Sequence, residues 1–218
     1  MAPRMRQDSI GRRMAALISI LAAALLLFGF GFVAELVAGG ESMAFDRRVV
    51  LALRNPANPG EPLGPPWLQE AARDVTSLGS IVVVTIMTLA VVGYLLLSRG
   101  RAEALWMAVA VFGGMALNDA LKLAFARPRP DSVFHAARVF TASFPSGHAS
   151  LSAIGALLAR SQPSVKISVY VMALAAFLTV LIGMSRVYLG VHYPTDVLGG
   201  WCVGAAWAVA CWAIAAWL

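Results

Sequence analysis

Residues 14–38 read MAALISILAAALLLFGFGFVAELVA, and Glu35 is the one charged side chain in the run. As a helix it would extend about 37 Å, more than the roughly 30 Å hydrocarbon core of a bilayer. It is the first of a series. Further apolar runs cover residues 79–97, 103–125, 147–160, 165–184 and 197–218. Of the 218 residues, 60% are hydrophobic and 13% charged, with a mean hydropathy of +0.77. A soluble domain carries about a quarter charged residues. The expectation is an all-α, polytopic membrane protein of six transmembrane helices, with residues 1–218 forming one domain. No small-residue cleavage site closes the first run, so it reads as a retained span and not a removed signal.

Other classes drop out on similar grounds. The net charge is +6, but the basic residues are scattered and no aromatic-basic array accompanies them, so nucleic acid is not expected as a partner. Cys202 and Cys211 would lie about 13 Å apart along one helix, too far to bridge. There is no internal repeat and no low-complexity tract.

The run 147–160 stands apart. It supplies only about 21 Å of helix and cannot reach both surfaces. It opens with Ser143-Phe144-Pro145-Ser146-Gly147-His148. Irregular backbone at membrane depth is tolerated only against protein or a water-filled cavity, so this stretch is expected at the floor of a recess. The alternative is a locally thinned bilayer.

Orientation follows the basic residues in short loops. Arg4, Arg6, Arg12, Arg13, Arg99, Arg101, Arg160 and Lys166 fall on one side with little acid beyond Asp8 and Glu103. The other side mixes Arg47, Arg48, Arg54 and Arg73 with Glu41, Asp46, Glu61, Glu70 and Asp74. Both termini are therefore expected to be cytoplasmic. Segment 39–78 becomes an extracytoplasmic loop. Within it Phe45–Arg54 and Pro65–Ser80 each have one apolar face, the pattern of two short interfacial helices, joined by the turn-rich NPANPGEPLGPP. It reads either as a membrane-hugging loop or as a substrate gate.

Three polar clusters then share one membrane level: Lys122 with Arg129, the PSGH turn, and Ser185-Arg186 with His192 and Asp196. Each member alone has a plain explanation: Arg186 snorkelling, Lys122 pairing with Asp119, His192 at the interface, PSGH as an ordinary helix start. Charged groups at this depth usually face a functional cavity, and together these form a coherent one. Lys122, Arg129 and Arg186 offer positive charge and forked donors for phosphate. Ser146 and Gly147, at a helix start, add backbone N–H groups. Two histidines suit in-line displacement, one as nucleophile and one as acid. Asp196 is placed to orient His192 from the first turn of the last helix, with Pro194 at its first position. His148 remains for the leaving oxygen.

Lys122-x6-Arg129-Pro130, Pro145-Ser146-Gly147-His148 and Ser185-Arg186-x5-His192-x3-Asp196 resemble the three-part signature of the type 2 phosphatidic acid phosphatase family. That family shares its site with vanadium haloperoxidases and class A bacterial acid phosphatases. The signature covers residues 122–196, and the six-span layout extends the likeness over most of the chain. The resemblance implies phosphate binding by Lys122, Arg129, Ser146, Gly147 and Arg186. It implies His148 as acid, His192 as the residue that becomes phosphorylated and Asp196 as its orienting group, with no metal and no other cofactor. His135 lies outside the motifs and reads as a loop residue.

The expected activity is hydrolysis of a terminal phosphate from a membrane lipid, in a bacterial inner membrane with the site facing the periplasm. Undecaprenyl diphosphate, phosphatidylglycerophosphate, phosphatidate and lipid A phosphate all fit. The alternatives are a lipid phosphotransferase using the same histidine, vanadate-dependent halide oxidation, and a small anion transporter or channel. The transporter would leave His148, His192 and Asp196 without a shared task.

Overall fold

A computed structural model of the chain describes residues 2–130, 141–147, 157–159, 162 and 164–215. The described residues form α1 (Ala2–Ala38), α2 (Met43–Ala52), a two-stranded ladder of β1 (Arg54–Asn55) and β2 (Asn58–Pro62), α3 (Pro66–Ser77), α4 (Ile81–Ser98), α5 (Arg101–Phe125), α6 (Val165–Tyr188) and α7 (Pro194–Ile214). Five of these helices are long and apolar enough to cross a membrane: Met14–Ala38, Ile81–Ser98, Arg101–Phe125, Val165–Tyr188 and Pro194–Ile214. They match five of the expected runs, with ends moved by a few residues. Most of the short run 147–160, including His148, lies outside the described residues, as does His135.

Local signals place the helix ends. Ser80 caps α4 by accepting a hydrogen bond from the Val83 N–H at 3.3 Å, as an N-cap serine does. Pro66 opens α3 and Pro194 opens α7, positions where proline's missing N–H costs nothing. α5 ends on Ala126, left-handed at φ 43°, whose N–H donates to the Lys122 carbonyl at 2.9 Å. That residue turns the chain sharply, so Arg127 and Arg129 leave the helix axis and enter the protein.

Between helices the contacts are those of a membrane bundle, where small residues permit close approach and buried indoles need acceptors. A Cβ on Gly114 would stand 2.9 Å from the Trp207 indole, and one on Gly183 only 2.6 Å from Val197. Trp207 donates to the Ala110 carbonyl at 2.7 Å and Trp106 to that of Cys211 at 3.1 Å, joining α5 to α7. Trp201 donates to the Thr179 carbonyl at 3.2 Å, joining α6 to α7. Phe30 of α1 stacks on Phe144 with ring centroids 5.7 Å apart, while Phe125 meets the same ring edge-on at 4.8 Å. Phe144 is thereby locked between α1 and the end of α5, which fixes the backbone that follows it. Both cysteines are free.

The segment between α1 and α4 carries two short helices, α2 and α3. Its connector is more ordered than its turn-rich composition suggests: Arg54 pairs with Pro62 and Asn55 with Asn58 in an antiparallel ladder. Arg54 is buried and donates to the Tyr188 carbonyl. The Tyr188 hydroxyl donates back to the Leu63 carbonyl at 2.8 Å. The loop is therefore fastened to the end of α6, two residues past Arg186.

Candidate functional site

His192 sits in the short link between α6 and α7, 1% exposed. Asp196, in the first turn of α7, is fully buried. The Asp196 Oδ2 accepts from the Tyr193 backbone N–H at 2.8 Å, lies 3.3 Å from His192 Nδ1, and accepts from the Ser143 hydroxyl. The reach of a first-turn acid back to the helix entry is thus present, and it delivers the carboxylate to the imidazole.

The other ring nitrogen faces Arg129, whose Nη1 lies 3.1 Å from His192 Nε2. A guanidinium has only donors to offer, so Nε2 receives this contact on its lone pair. A carboxylate has only acceptors, so Nδ1 carries the proton. Both neighbours therefore favour one tautomer, Nδ1–H, and leave the lone pair on Nε2. Complete burial holds the His192 pKa well below its ordinary value of 6.5, and Arg186, Arg129 and Lys122 push it in the same direction. Both effects favour the neutral imidazole.

Arg129 is itself anchored by the Val191 carbonyl at 2.6 Å and the Thr141 carbonyl at 2.6 Å. Its pKa is lowered by burial, an effect Asp196 partly opposes. Lys122 Nζ donates to the Thr141 hydroxyl at 3.2 Å and forms no ion pair with Asp119. Arg186, near the end of α6, is half-buried, and its Nε has no hydrogen-bond partner among the described residues. Ser146 is 3% exposed, and its backbone N–H donates to the Asp196 carbonyl at 3.0 Å. Gly147 follows at the same level. The structure therefore brings together Lys122, Arg129, Ser146, Gly147, Arg186, His192 and Asp196. Among the described residues, no group of three or more His, Cys, Asp or Glu converges as a metal site would require.

Several participants escaped the sequence reading. Arg127 is 5% exposed and lies between two buried carboxylates, 2.6 Å from Asp196 Oδ1 and 2.7 Å from Asp46 Oδ2. Burial lowers its pKa, but Asp196 and Asp46 more than reverse that, and the net shift is upward. Asp46, counted from sequence only as a loop acid, is fully buried. Asn118, one turn before Lys122, is also buried. A Cβ on Gly147 would lie 3.0 Å from its Nδ2, and its Oδ1 has no partner among the described residues. The available signal for Asn118 was its place on the Lys122 face of α5.

Comparison with known proteins places the chain in a family. Phosphatidylglycerophosphatase B of Bacillus subtilis is 34% identical over 149 residues, which span 64% of this chain and 71% of that protein. A lipid A 1-phosphatase of Rhizobium johnstonii is 34% identical over 134 residues, about half of each chain at 52%. The crystal structure of a transmembrane PAP2-type phosphatidylglycerolphosphate phosphatase from Bacillus subtilis superposes with a TM-score of 0.80 at 26% identity. That match covers 90% of this chain and 96% of the other. The family model of the PAP2 superfamily matches residues 103–218, more than half of the chain and all three polar clusters, so this protein belongs to the PAP2 superfamily.

Proposed function

We propose that this membrane protein is a lipid-phosphate phosphatase that works through a phosphohistidine on His192. The observation that carries the reading is the placement of the imidazole between Asp196, 3.3 Å from Nδ1, and the cationic Arg129, 3.1 Å from Nε2, which favours the Nδ1–H tautomer. A phosphoryl group bound by Arg129 would lie against that lone pair. Lys122 and Arg186 supply further positive charge, and phosphoryl transfer depends mainly on such positioning and charge stabilisation.

In the first step the Nε2 lone pair forms a bond to phosphorus as the bond from phosphorus to the lipid-side oxygen breaks. His148, next in the chain after Gly147, gives its proton to the departing oxygen. Water then attacks the phosphorus, returns a proton to His148 and releases inorganic phosphate from His192. Relatives named for phosphatidylglycerophosphate, lipid A and undecaprenyl diphosphate have a phosphate on a lipid in common. That is the substrate class proposed for this chain. A site facing the outside of a bacterial inner membrane, with both termini cytoplasmic and α2 and α3 lying in the interface, completes the proposal.

The test is phosphate release by purified protein in detergent, with EDTA, from a panel of lipid phosphates. Release from at least one lipid, lost in His192→Ala, is expected. No release from any lipid, or activity above a tenth of wild type in His192→Ala, overturns the reading. Transfer only to an added alcohol acceptor would replace hydrolysis with phosphotransfer.

A further inference from the structure

Arg127 is not among the proposed phosphate-binding residues, yet both ends of its buried guanidinium are engaged by carboxylates and hydroxyls. Its Nη1 donates to Asp196 Oδ1 at 2.6 Å and to the Thr195 hydroxyl at 2.9 Å. Its Nη2 donates to Asp46 Oδ2 at 2.7 Å and to the Ser42 hydroxyl at 3.3 Å. The guanidinium also lies 4.6 Å from the centre of the Tyr193 ring. Asp46 binds α7 directly as well, accepting from the Thr195 N–H at 3.1 Å and the Thr195 hydroxyl at 2.5 Å. One unbroken chain of contacts thus runs from Asp46 on α2, through Arg127, to Asp196 and the His192 imidazole.

From this geometry we infer that Asp46 and Arg127 are positioning residues for His192, which makes the loop between α1 and α4 part of the catalytic apparatus. The inference rests on the reading of His192 as the nucleophile. Arg127 holds one oxygen of Asp196, so the carboxylate cannot rotate and its other oxygen stays aimed at Nδ1. Arg127 also offsets part of the Asp196 charge. Asp46 fixes the far end of the fork, because a guanidinium held at one end only can pivot. Burying a carboxylate is costly without a cation beside it, and Asp46 has Arg127 at 2.7 Å.

A purely structural brace would leave the imidazole unchanged once the protein had folded. A positioning relay would not. Among the described residues, the charged groups facing His192 are Lys122 from α5, Arg129 beyond it, Arg186 from α6 and Asp196 from α7. Removing Arg127 leaves Asp196 less neutralised. The imidazolium is then favoured, and titration of His192 moves up towards the ordinary histidine value. The experiment is nitrogen NMR of histidine-labelled protein in detergent micelles, with the His192 signal identified by its loss in His192→Ala. It needs no turnover, so it reads the relay even if the lipid panel gives no phosphate. In wild type His192 is expected as the Nδ1–H tautomer across pH 6–8. Arg127→Gln is expected to mix the tautomers and raise the titration midpoint, with Arg127→Lys intermediate. Turnover of Arg127→Gln is expected to fall about a hundredfold in kcat with KM within about threefold, since 2–3 kcal/mol of orientation is lost. Asp46→Asn, nearly the same shape, gives a milder version of both changes and serves where Arg127→Gln does not fold. If folded Arg127→Gln or Asp46→Asn shows the wild-type tautomer and titration, the relay is overturned and the cluster is a brace only.

Discussion

Gly200 of α7 lies so close beneath Ser146 that a Cβ there would stand 2.4 Å from the Ser146 carbonyl oxygen and 3.1 Å from its nitrogen. Both neighbours are backbone, which cannot rotate aside as a side chain would. The last helix therefore acts as a floor for the Pro145-Ser146-Gly147 turn. Replacing Gly200 with alanine should lift that turn and break the bond from the Ser146 N–H to the Asp196 carbonyl. We expect Gly200→Ala to reduce turnover at least tenfold while the protein still inserts and purifies. Phosphate release at wild-type rate would show that the turn tolerates displacement.

Orthovanadate, which takes the five-coordinate geometry of a phosphoryl group in transfer, should inhibit. Arg129→Lys should weaken that inhibition by about 10- to 150-fold, the equivalent of roughly 1.5–3 kcal/mol for a charge-assisted hydrogen bond. Lysine keeps the charge but not the fork that now reaches Val191, Thr141 and His192 at once. The same potency in wild type and Arg129→Lys would place the anion elsewhere.

Stability should depend on pH through His192 in a definite direction. Its pKa in the folded protein is below the unfolded value of about 6.5. Above that value both states are neutral and the stability is intact. As pH falls below it, the unfolded chain takes up a proton that the folded chain refuses, and stability declines. Between pH 6.5 and 5.5 the loss from this group is at most about 1 kcal/mol. Thermal unfolding of wild type and His192→Asn at both pH values measures it, and the variant should show the smaller drop. An equal drop in both would mean that His192 is not held neutral.

Sidedness can be read from single cysteines at exposed positions. Arg48 on α2 lies on the loop that reaches the site, and Ser98 ends α4 at the far side of the bundle. Arg48→Cys should react in intact spheroplasts with an impermeant thiol reagent, and Ser98→Cys only after lysis. The reverse pattern would invert the orientation deduced from Arg99, Arg101 and Lys166.

The five described spans and the residues of the candidate site were legible in the sequence for simple reasons. Apolar runs between loops register in composition, and Lys122, Arg129, Ser146, Arg186, His192 and Asp196 fall within one stretch at fixed spacings. Asp46 was not legible. It sits on a short amphipathic helix among other loop charges, and nothing local distinguishes a buried acid from a solvated one. Its partner Arg127 lies in a different segment, hidden beside the more familiar Arg129-Pro130. The β1–β2 ladder was missed for a different reason. Strands of two and five residues rich in proline, asparagine and glycine show no alternation, and it is the anchoring of Arg54 to Tyr188 that holds them in place.

The Asp46–Arg127 pair bears on how such proteins can be recombined. The family match begins at residue 103, and the C-terminal half could be taken for a transplantable cassette with the earlier residues as an interchangeable anchor. Asp46 contradicts that division. A chimera that brings in a foreign first loop without an acid at this position leaves the guanidinium held by a carboxylate at its Asp196 end only. One that trades both partners together keeps the charge balance. Positions 46 and 127 are therefore a single unit of exchange, although they stand in different halves of the chain.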